Sequence, residues 1–358
     1  MNVQKNAKGL WDAQWYCKDF TGKRIKKHKR NFPTKRAAIE YVEEYNRKQA
    51  QDVSMSFKTF YEIYIKDMEV RLRYNTMKSK KYIIELKLLP YFADKSISEI
   101  TPADIRLWQQ EMIKQGYKET YLKTINNQLS AMMKYACRYY GLKQNPCEIA
   151  GSMGKSKADE MDYYTLEEFE QFVEPLKDKP MSYYAMQVLY WTGLRCGELL
   201  ALTIGDIDFE AKTLNVNKSL QRLEGKDYIT DPKTKKGKRV IALSQHLLDM
   251  LNDYMGMLYG MTKTDRLFHI TKAFLEHEMD RGAKLSGMKR IRLHDLRHSH
   301  ASLLISKLEA QPLQVAQRLG HEKIQTTLSV YSHLYPNQAH ELASKLDEVV
   351  NKSKKGDK

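Results

Sequence analysis

Thr192–Leu202 reads TGLRCGELLAL. A Thr-Gly pair closes an apolar helical run over Tyr183–Thr192, and a second helical run begins at about Cys196. Arg195 stands just after the glycine turn, at the start of that second helix, and Glu198 follows three residues later on the same face. An arginine placed there can present a rigid bidentate fork to a phosphate, with Glu198 holding it. A surface ion pair would leave the same pattern, so the neighbouring stretches have to decide.

Downstream, residues 213–243 hold short β-patterned runs, Thr213–Val216, Asp227–Thr230 and Arg239–Leu243. Asp231–Leu243 reads DPKTKKGKRVIAL, which predicts a lysine-rich hairpin tip between two strands. An ammonium group there, near a phosphate, can give a proton to a leaving oxygen. Arg292–Leu304 reads RLHDLRHSHASLL, and His294 and Arg297 share a helix face. His294 and His298 also have the spacing of a zinc-binding helix, with Asp where such a helix carries Glu. That reading is disfavoured because the base is one methylene short, an arginine intervenes and no third ligand is evident. Leu319–Tyr335 reads LGHEKIQTTLSVYSHLY, in which Gly320-His321 closes a short helix and Tyr331 follows ten residues after His321.

Upstream lie two further segments. In residues 1–50, Leu10–Phe20 is aromatic-rich and roughly alternating, Thr21-Gly22 reads as a turn, and Lys23–Arg30 as a basic return strand. Thr34 then caps a helix through Ala37, Ala38, Tyr41, Val42 and Tyr45. A small sheet on one helix follows, with alternate members of Trp11, Trp15 and Tyr16 in its core and a charged face for phosphates. Residues 56–148 read as four helices: Phe57–Leu72, Thr76–Phe92, a run opened by Thr101-Pro102 and closed by Gly116, and Lys118–Tyr140. Lys78, Lys80 and Lys81 there are either phosphate contacts or a solvated face. Residues 149–162 are rich in Gly, Ser and Lys and are expected to be a linker. Thr165-Leu-Glu-Glu168 is a capping box that opens the third segment, residues 163–350.

The expected architecture is therefore multidomain, mainly α with α+β parts. The 358 residues are too many for one small domain, and 42% apolar against 29% charged residues excludes global disorder. No apolar run approaches the roughly 18 residues that span a bilayer, and the N-terminus has no apolar signal core. Cys17, Cys137, Cys147 and Cys196 make no CxxC pair, which predicts a reducing, cytoplasmic setting without structural zinc. The net charge of +16 is uneven: +8 falls in residues 1–50, +6 in 51–155 and +2 in 156–358. Residues 23–36 hold eight Lys or Arg, with His28, and no acid. Such a front end fits a polyanion and favours nucleic acid.

The Arg of TGLR, a lysine in the 231–238 turn, His-x-x-Arg, Leu-Gly-His and the downstream Tyr occur in one order over residues 160–340. In that order the set resembles the tyrosine recombinase, or phage integrase, family. Residues 56–148 are similar to that family's helical core-type DNA-binding domain. Residues 1–50 are similar to the small three-stranded arm-type domain of integrases from phages and conjugative transposons.

The resemblance implies a site-specific recombinase that integrates and excises a mobile element or prophage. Tyr331 would attack a scissile phosphate, leaving a 3′-phosphotyrosyl link and a free 5′-hydroxyl. Because the link conserves the bond energy, neither ATP nor a metal cofactor is implied. Arg195 and Arg297 would clamp the non-bridging oxygens. His294 would bond the phosphate or take the tyrosine proton, and His321 would donate to a non-bridging oxygen. A turn lysine, assigned to Lys233 with Lys235 and Lys236 close by, would protonate the leaving oxygen, and Glu198 would support Arg195. Lys23, Arg24, Lys26, Lys27, Lys29 and Arg30 are the candidate arm-site contacts. His298 is left as a neighbour of His294, and His300 and His333 are left out.

Implied partners are double-stranded attachment-site DNA of core and arm type, further copies of the chain in a tetramer, an excisionase and a host DNA-bending protein, with no membrane. A tail helix, about Asn337–Val350, would pack on a neighbouring subunit or on its own body. Three other functions stay open: a chromosome-dimer-resolving recombinase, a type IB topoisomerase-like nicking enzyme, and a non-catalytic DNA-binding regulator. The first of these typically lacks a basic arm-binding segment.

Overall fold

The computed structural model describes residues 1–18, 24–49, 55–156, 162–232 and 234–335. The chain divides into two compact units, residues 1–159 and 160–358.

The first unit opens with strands β1 (Asn2–Lys5), β2 (Trp11–Lys18) and β3 (Arg24–Phe32), antiparallel in that order, and helix α1 (Lys35–Gln49). Strand alternation buries Ala13 and Trp15 against Ala38 and Val42 of α1, and leaves Tyr16 exposed. The Trp15 ring meets Tyr45 edge-on at 5.0 Å, and Tyr41 at 6.1 Å, a geometry worth about 0.5–1.5 kcal/mol per pair beyond burial. Thr34 caps α1, its Oγ1 accepting from Ala37 N at 3.0 Å. Strand β1 is unheralded in the sequence because NVQK carries one apolar residue. The predicted Thr21-Gly22 turn lies outside the described residues.

Helices α2 (Phe57–Arg71), α3 (Tyr74–Ile83), α4 (Leu89–Phe92), α5 (Pro102–Lys114) and α6 (Glu119–Tyr139) follow. Between α3 and α4, Ile84–Leu88 forms a π turn. Pro90 explains it: the ring has no N–H and would strike the carbonyl four residues back, and widening the turn keeps the helix continuous. Thr101 and Asp104 form a capping box with Pro102 in the first turn of α5. Trp108 is fully buried and donates from Nε1 to Lys87 O at 2.9 Å. Of the three lysines read as phosphate contacts or a solvated face, Lys80 is spent internally on Tyr64 Oη at 3.0 Å and Gln128 Oε1 at 2.7 Å, and Lys81 pairs with Glu69. Only Lys78 of the three keeps an exposed side chain with no such bond recorded.

The expected linker 149–162 is corrected at its front. A short helix α7 (Pro146–Ala150) runs into it, and Met153 is buried in the helical core. Gln109 Nε2 holds Gly151 O at 2.8 Å, and Asn126 Nδ2 holds Ser152 Oγ at 3.2 Å. At Gly154 (φ +74°) a Cβ would sit 2.1 Å from Glu119 O, so only glycine fits. Small residues here serve close packing. Residues 157–161 lie outside the described set.

The second unit carries α8 (Leu166–Val173), α9 (Pro180–Thr192), α10 (Cys196–Ala201), β4 (Ile207–Asp208), β5 (Thr213–Val216), β6 (Ser219–Leu223), β7 (Lys226–Thr230), β8 (Arg239–Ala242), α11 (Gln245–Gly256), α12 (Lys272–Ser286), α13 (Asp295–Ser306), α14 (Pro312–Leu319) and α15 (Ile324–Tyr331). The main core spans α8 to α13, with Phe169 stacked on Tyr190 at 3.8 Å. A smaller core of Ala301, Ile305, Val315, Leu319 and Tyr331 joins α13, α14 and α15.

The hairpin prediction for 231–238 is corrected by strand pairing. β7 pairs with β6, whereas β8 pairs with β5 in the sheet β4-β5-β8. The lysine-rich segment is therefore a crossover between two small sheets. Strand β6, SLQRL, supplies the partner that the sequence reading lacked. The tail-helix prediction, 337–350, lies outside the described residues. Among the described residues no helix is long and apolar enough to cross a membrane.

Candidate functional site

Helix α9 ends at Thr192, and Gly193 adopts a left-handed conformation (φ 66°). A Cβ there would lie 2.7 Å from both His300 Cδ2 and Leu319 Cδ2, so the turn requires glycine twice over. The turn delivers Arg195 to the head of α10. Its backbone N donates to Glu198 Oε2 at 3.0 Å and its Nη1 to Oε1 at 2.8 Å. The Glu198 side chain is 3% exposed and that of Arg195 is 41% exposed. The carboxylate anchors in the interior while the guanidinium keeps an open edge.

Glu198 has a second partner that the sequence reading missed. Arg239, first residue of β8, donates Nη2 to Oε2 at 2.9 Å and Nη1 to Oε1 at 3.2 Å. Its Nε reaches Arg318 O at 2.9 Å and its Nη1 Gly237 O at 3.2 Å. Burial pushes the Glu198 carboxyl up, but the hydrogen bonds and charges of Arg239 and Arg195 outweigh it and hold it below the usual range. The clue was available in strand alternation: Arg239 shares a face with buried Ile241, while Val240 between them is exposed.

Arg297, on the first turn of α13, is 3% exposed. Its Nη1 donates to Gly193 O at 2.7 Å and its Nη2 to Leu319 O at 2.5 Å. One guanidinium thus ties the TGLR turn to the end of α14. Burial, with Arg195 and Arg239 nearby, lowers its pKa. Asp295 holds the head of α13, accepting from Arg292 N at 2.9 Å and Arg292 Nη2 at 2.8 Å. Ser299 Oγ accepts from Tyr164 N at 2.9 Å, locking α13 to the start of the unit.

Helix α14 stops at Gly320 (φ 70°), where a Cβ would meet Lys236 O at 2.9 Å and Arg239 Cδ at 3.0 Å. The crossover therefore passes directly over the Gly320-His321 turn. His321 Nδ1 lies 2.8 Å from Thr327 Oγ1, which is fully buried. Burial and then the charges of Arg297 and Arg195 lower the His321 pKa to about 4. Tyr331, the last residue of α15, is 3% exposed. Its hydroxyl is 2.5 Å from His298 Nδ1. Burial raises the phenol, the charge of Arg297 opposes it and that of Asp295 adds to it.

Arg195, Glu198, His294, Arg297, His321 and Tyr331 are thus brought together: Glu198 holds Arg195, Arg297 bridges the turns that carry Arg195 and His321, and His298, one helical turn from His294, meets Tyr331. His294 stands at the N-cap position of α13 and is an exposed residue overall, while partial burial of its ring and then the charge of Arg297 lower its pKa. Lys233 lies outside the described residues. Its neighbour Lys236 is exposed, and Lys238 pairs with Asp231 at 3.0 Å. His300 is buried and accepts from Arg318 Nε at 3.0 Å, and His333 is exposed on the turn after α15. The disfavoured zinc helix has its two rings perpendicular at 5.2 Å, with the Nδ1 of His298 already committed to Tyr331. Among the described residues no three His, Cys, Asp or Glu side chains form a metal-holding group.

The arm-site candidates divide. Lys23 lies outside the described residues, as does the Arg24 side chain. Register places Lys26 opposite Tyr16 and His28 opposite Gln14, on the sheet face away from α1. Lys27 opposes Trp15 and Lys29 opposes Ala13, on the helix side, where Lys29 Nζ sits 4.1 Å from the Tyr41 ring centroid. Arg30 returns to the free face, with Nε 3.4 Å from His28 Nδ1. The four candidates with described side chains therefore divide between the two faces of the sheet.

Residues 162–338 match the family model of the phage integrase family. Residues 56–113 match the phage integrase N-terminal SAM-like domain, and residues 2–49 an arm DNA-binding domain. The chain is 30% identical to the ICEBs1 integrase of Bacillus subtilis, across 98% of this chain and all of that one. It is 27% identical to a putative prophage phiRv2 integrase of Mycobacterium tuberculosis, over 75% of this chain and 72% of that one. Among solved structures, its fold is similar to the Tn1549 transposon integrase in complex with circular intermediate DNA, with TM-score 0.71 and 20% identity over 83% of this chain and all of that one. It is also similar to a lambda integrase tetramer bound to a Holliday junction, with TM-score 0.61 and 19% identity over 94% and 95%.

Proposed function

The chain belongs to the phage integrase family, and from that premise we propose how its residues carry out the reaction. It is a tyrosine recombinase, an integrase of the conjugative-element or prophage type. Its action cuts and rejoins DNA at attachment sites through a 3′-phosphotyrosyl link to Tyr331. The observation that carries this assignment is that Arg297 bridges Gly193 O and Leu319 O, which joins the turns carrying Arg195 and His321, while Tyr331 packs in the same small core as Leu319.

Each residue answers a demand of phosphoryl transfer. Attack builds negative charge on non-bridging oxygens, and preorganised cations meet it without reorganising. Arg297 is held at two carbonyls and Arg195 at one carboxylate, so both guanidiniums are aimed in advance. His321 is neutral at pH 7, and in the tautomer whose Nδ1 accepts from Thr327 its Nε2 carries a proton to donate to a non-bridging oxygen. His294 bonds the phosphate from the head of α13. A lysine of the crossover, Lys233 with Lys235 and Lys236 as neighbours, protonates the leaving 5′ oxygen. Glu198 acts through Arg195.

The three family matches, residues 2–49, 56–113 and 162–338, support a modular hold on DNA. The arm domain, residues 1–50, takes arm-type sites through the free face of its sheet, with Lys26, His28 and Arg30. The helical domain, residues 56–148, and the catalytic domain, residues 163–350, take the core-type site. The working assembly is a tetramer on two duplexes, directed by an excisionase and a host DNA-bending protein. The arm match favours a mobile-element integrase over a chromosome-dimer resolvase.

The test is covalent trapping on DNA that spans the ends of the encoding element, nicked beside each candidate cleavage point. Wild type should give a slow-migrating adduct on denaturing gels, and Tyr331→Phe none, with DNA affinity changed less than about twofold because one hydroxyl is lost and no phosphate contact. Adduct formation by Tyr331→Phe would remove Tyr331 as nucleophile. Relaxation of plasmid lacking an attachment site would support the topoisomerase-like reading instead.

A further inference from the structure

The proton on Tyr331 has to leave as its oxygen bonds to phosphorus, and the sequence offered His294 as a group able to take it. The geometry points elsewhere. His294, Arg297 and His298 lie on one face of the α13 head at spacings of three and four. His294 makes no recorded bond to Tyr331, whereas His298 Nδ1 is 2.5 Å from Tyr331 Oη, with ring centroids 5.6 Å apart. Among the described residues His298 is the sole recorded hydrogen-bond partner of that hydroxyl. In the tautomer that carries its proton on Nε2, His298 Nδ1 accepts from the phenol, and it is this tautomer that can take the Tyr331 proton.

We infer that His298 is a catalytic residue, the proton acceptor for Tyr331 in strand cleavage and the donor that returns the proton on rejoining. The inference rests on Tyr331 being the nucleophile. On cleavage the O–H bond of Tyr331 breaks, its proton passes to His298 Nδ1, and the new O–P bond forms. The P–O bond to the 5′ oxygen breaks, and that oxygen takes its proton from a lysine ammonium of the crossover. On rejoining, the 5′-hydroxyl returns its proton to the lysine amine, and the imidazolium returns its own to the phenolate. The enzyme ends unchanged.

The surroundings suit this cycle. Facing His298 are His294, Asp295, Arg297 and Arg292 from α13 and the turn before it, Tyr331 from α15, and His321 from the turn after α14. Burial, then His294 and Arg297, keep His298 neutral at pH 7 with its lone pair available but weakly basic, so its uptake of the proton has to run together with O–P bond formation. Carboxylates other than Asp295 are absent from the groups recorded around His298 or Tyr331. Asp295 itself is saturated by Arg292.

The experiment is single-turnover adduct formation by the full chain on the nicked attachment-site DNA, with Tyr331 either natural or replaced by ring-fluorinated tyrosine. The fluorinated phenol is more acidic and depends less on a base. His298→Ala should slow cleavage by about 10²–10⁴-fold, the usual contribution of a general base. Fluorotyrosine at 331 should recover at least tenfold of that loss while changing the wild type little. His298→Asn, which keeps a hydrogen-bonding atom near the Nδ1 position but cannot take the proton, should stay slow and be rescued likewise. Cleavage at the wild-type rate by either variant, or a deficit that fluorotyrosine leaves untouched, would overturn the inference. If His298→Ala does not fold, the asparagine variant decides alone. Absence of adduct with wild type would instead strike at the Tyr331 assignment itself.

Discussion

On β3, Lys26, Lys27, Lys29 and Arg30 stand exposed on a nine-residue strand. In the second unit, Arg297 is 3% exposed and fixed at two carbonyl oxygens, and Arg239 is fixed at Glu198, Gly237 O and Arg318 O. The same charge is held in opposite ways. An exposed cation gains affinity for a polyanion by releasing counterions, wherever along the phosphate track it lands. A buried and multiply bonded arginine cannot adjust. It is expensive to bury, and what it gives in return is a fixed field at one point. The comparison separates residues that hold DNA from residues that act on it.

Removing the anchor of the fixed set should have the largest effect. Glu198→Ala leaves Arg239 buried without its carboxylate, which should cost about 3–5 kcal/mol. For a unit of this size that lowers the melting temperature by about 6–20 °C, readable by calorimetry. A shift of a degree or two would mean that the buried pair contributes little and the contrast fails. Arg297→Lys keeps the charge and loses the fork. It should slow adduct formation by about 10²–10³-fold, as loss of a preorganised donor does, with DNA affinity nearly unchanged in a filter-binding assay. Lys26→Arg, the reverse swap on the exposed strand, should change neither. Equal sensitivity at the two positions would break the comparison.

The pH dependence of stability should come from the second unit. His298 and His321 are held at about 4, below the ordinary 6.5, and His294 and His300 are lowered too. Between pH 6.5 and 4 the unfolded chain therefore binds protons that the folded one does not. The stability is present above 6.5 and lost as the pH falls through that window. Loss of the depressed Glu198 carboxylate adds to it below about 4.5. Thermal melts from pH 8 to 4 should fall steeply over the lower half, and a flat profile would count against buried neutral histidines. The smallest effects belong to the arm. Lys26→Ala and Arg30→Ala should each reduce the slope of log affinity against log salt by roughly 1, and deletion of residues 1–50 should flatten it much further. An unchanged slope on deletion would remove the arm from DNA binding.

Local rules made much of this legible. The boundaries of α2, α5, α6 and β5 and the start of α8 follow from caps, prolines and apolar period, and the motif residues stand out by their order along the chain. The misses share a cause. β1 and β6 are short and mostly polar, so nothing in their own residues announces a strand, and without β6 the crossover looked like a hairpin. Lys80 read as a solvent-facing charge, and its bonds to Tyr64 and Gln128 arise only when three helices meet. Arg239 reads as the start of a strand, but its partner Glu198 lies forty-one residues away and meets it only in the fold.

By itself the sequence determined which groups are present and where helices begin and stop, because helix and strand periodicity and capping act over a few residues; that Arg195, His294, Arg297, His321 and Tyr331 belong together came from the resemblance of their order to the phage integrase family. Only the tertiary structure decided what each group touches. That Glu198 serves two arginines, that Arg297 joins two turns more than a hundred residues apart, and that Tyr331 meets His298 depend on packing between elements distant in the chain. Hydrogen-bond partners of buried groups are selected by that packing, since every buried donor and acceptor must find its mate wherever the fold brings one.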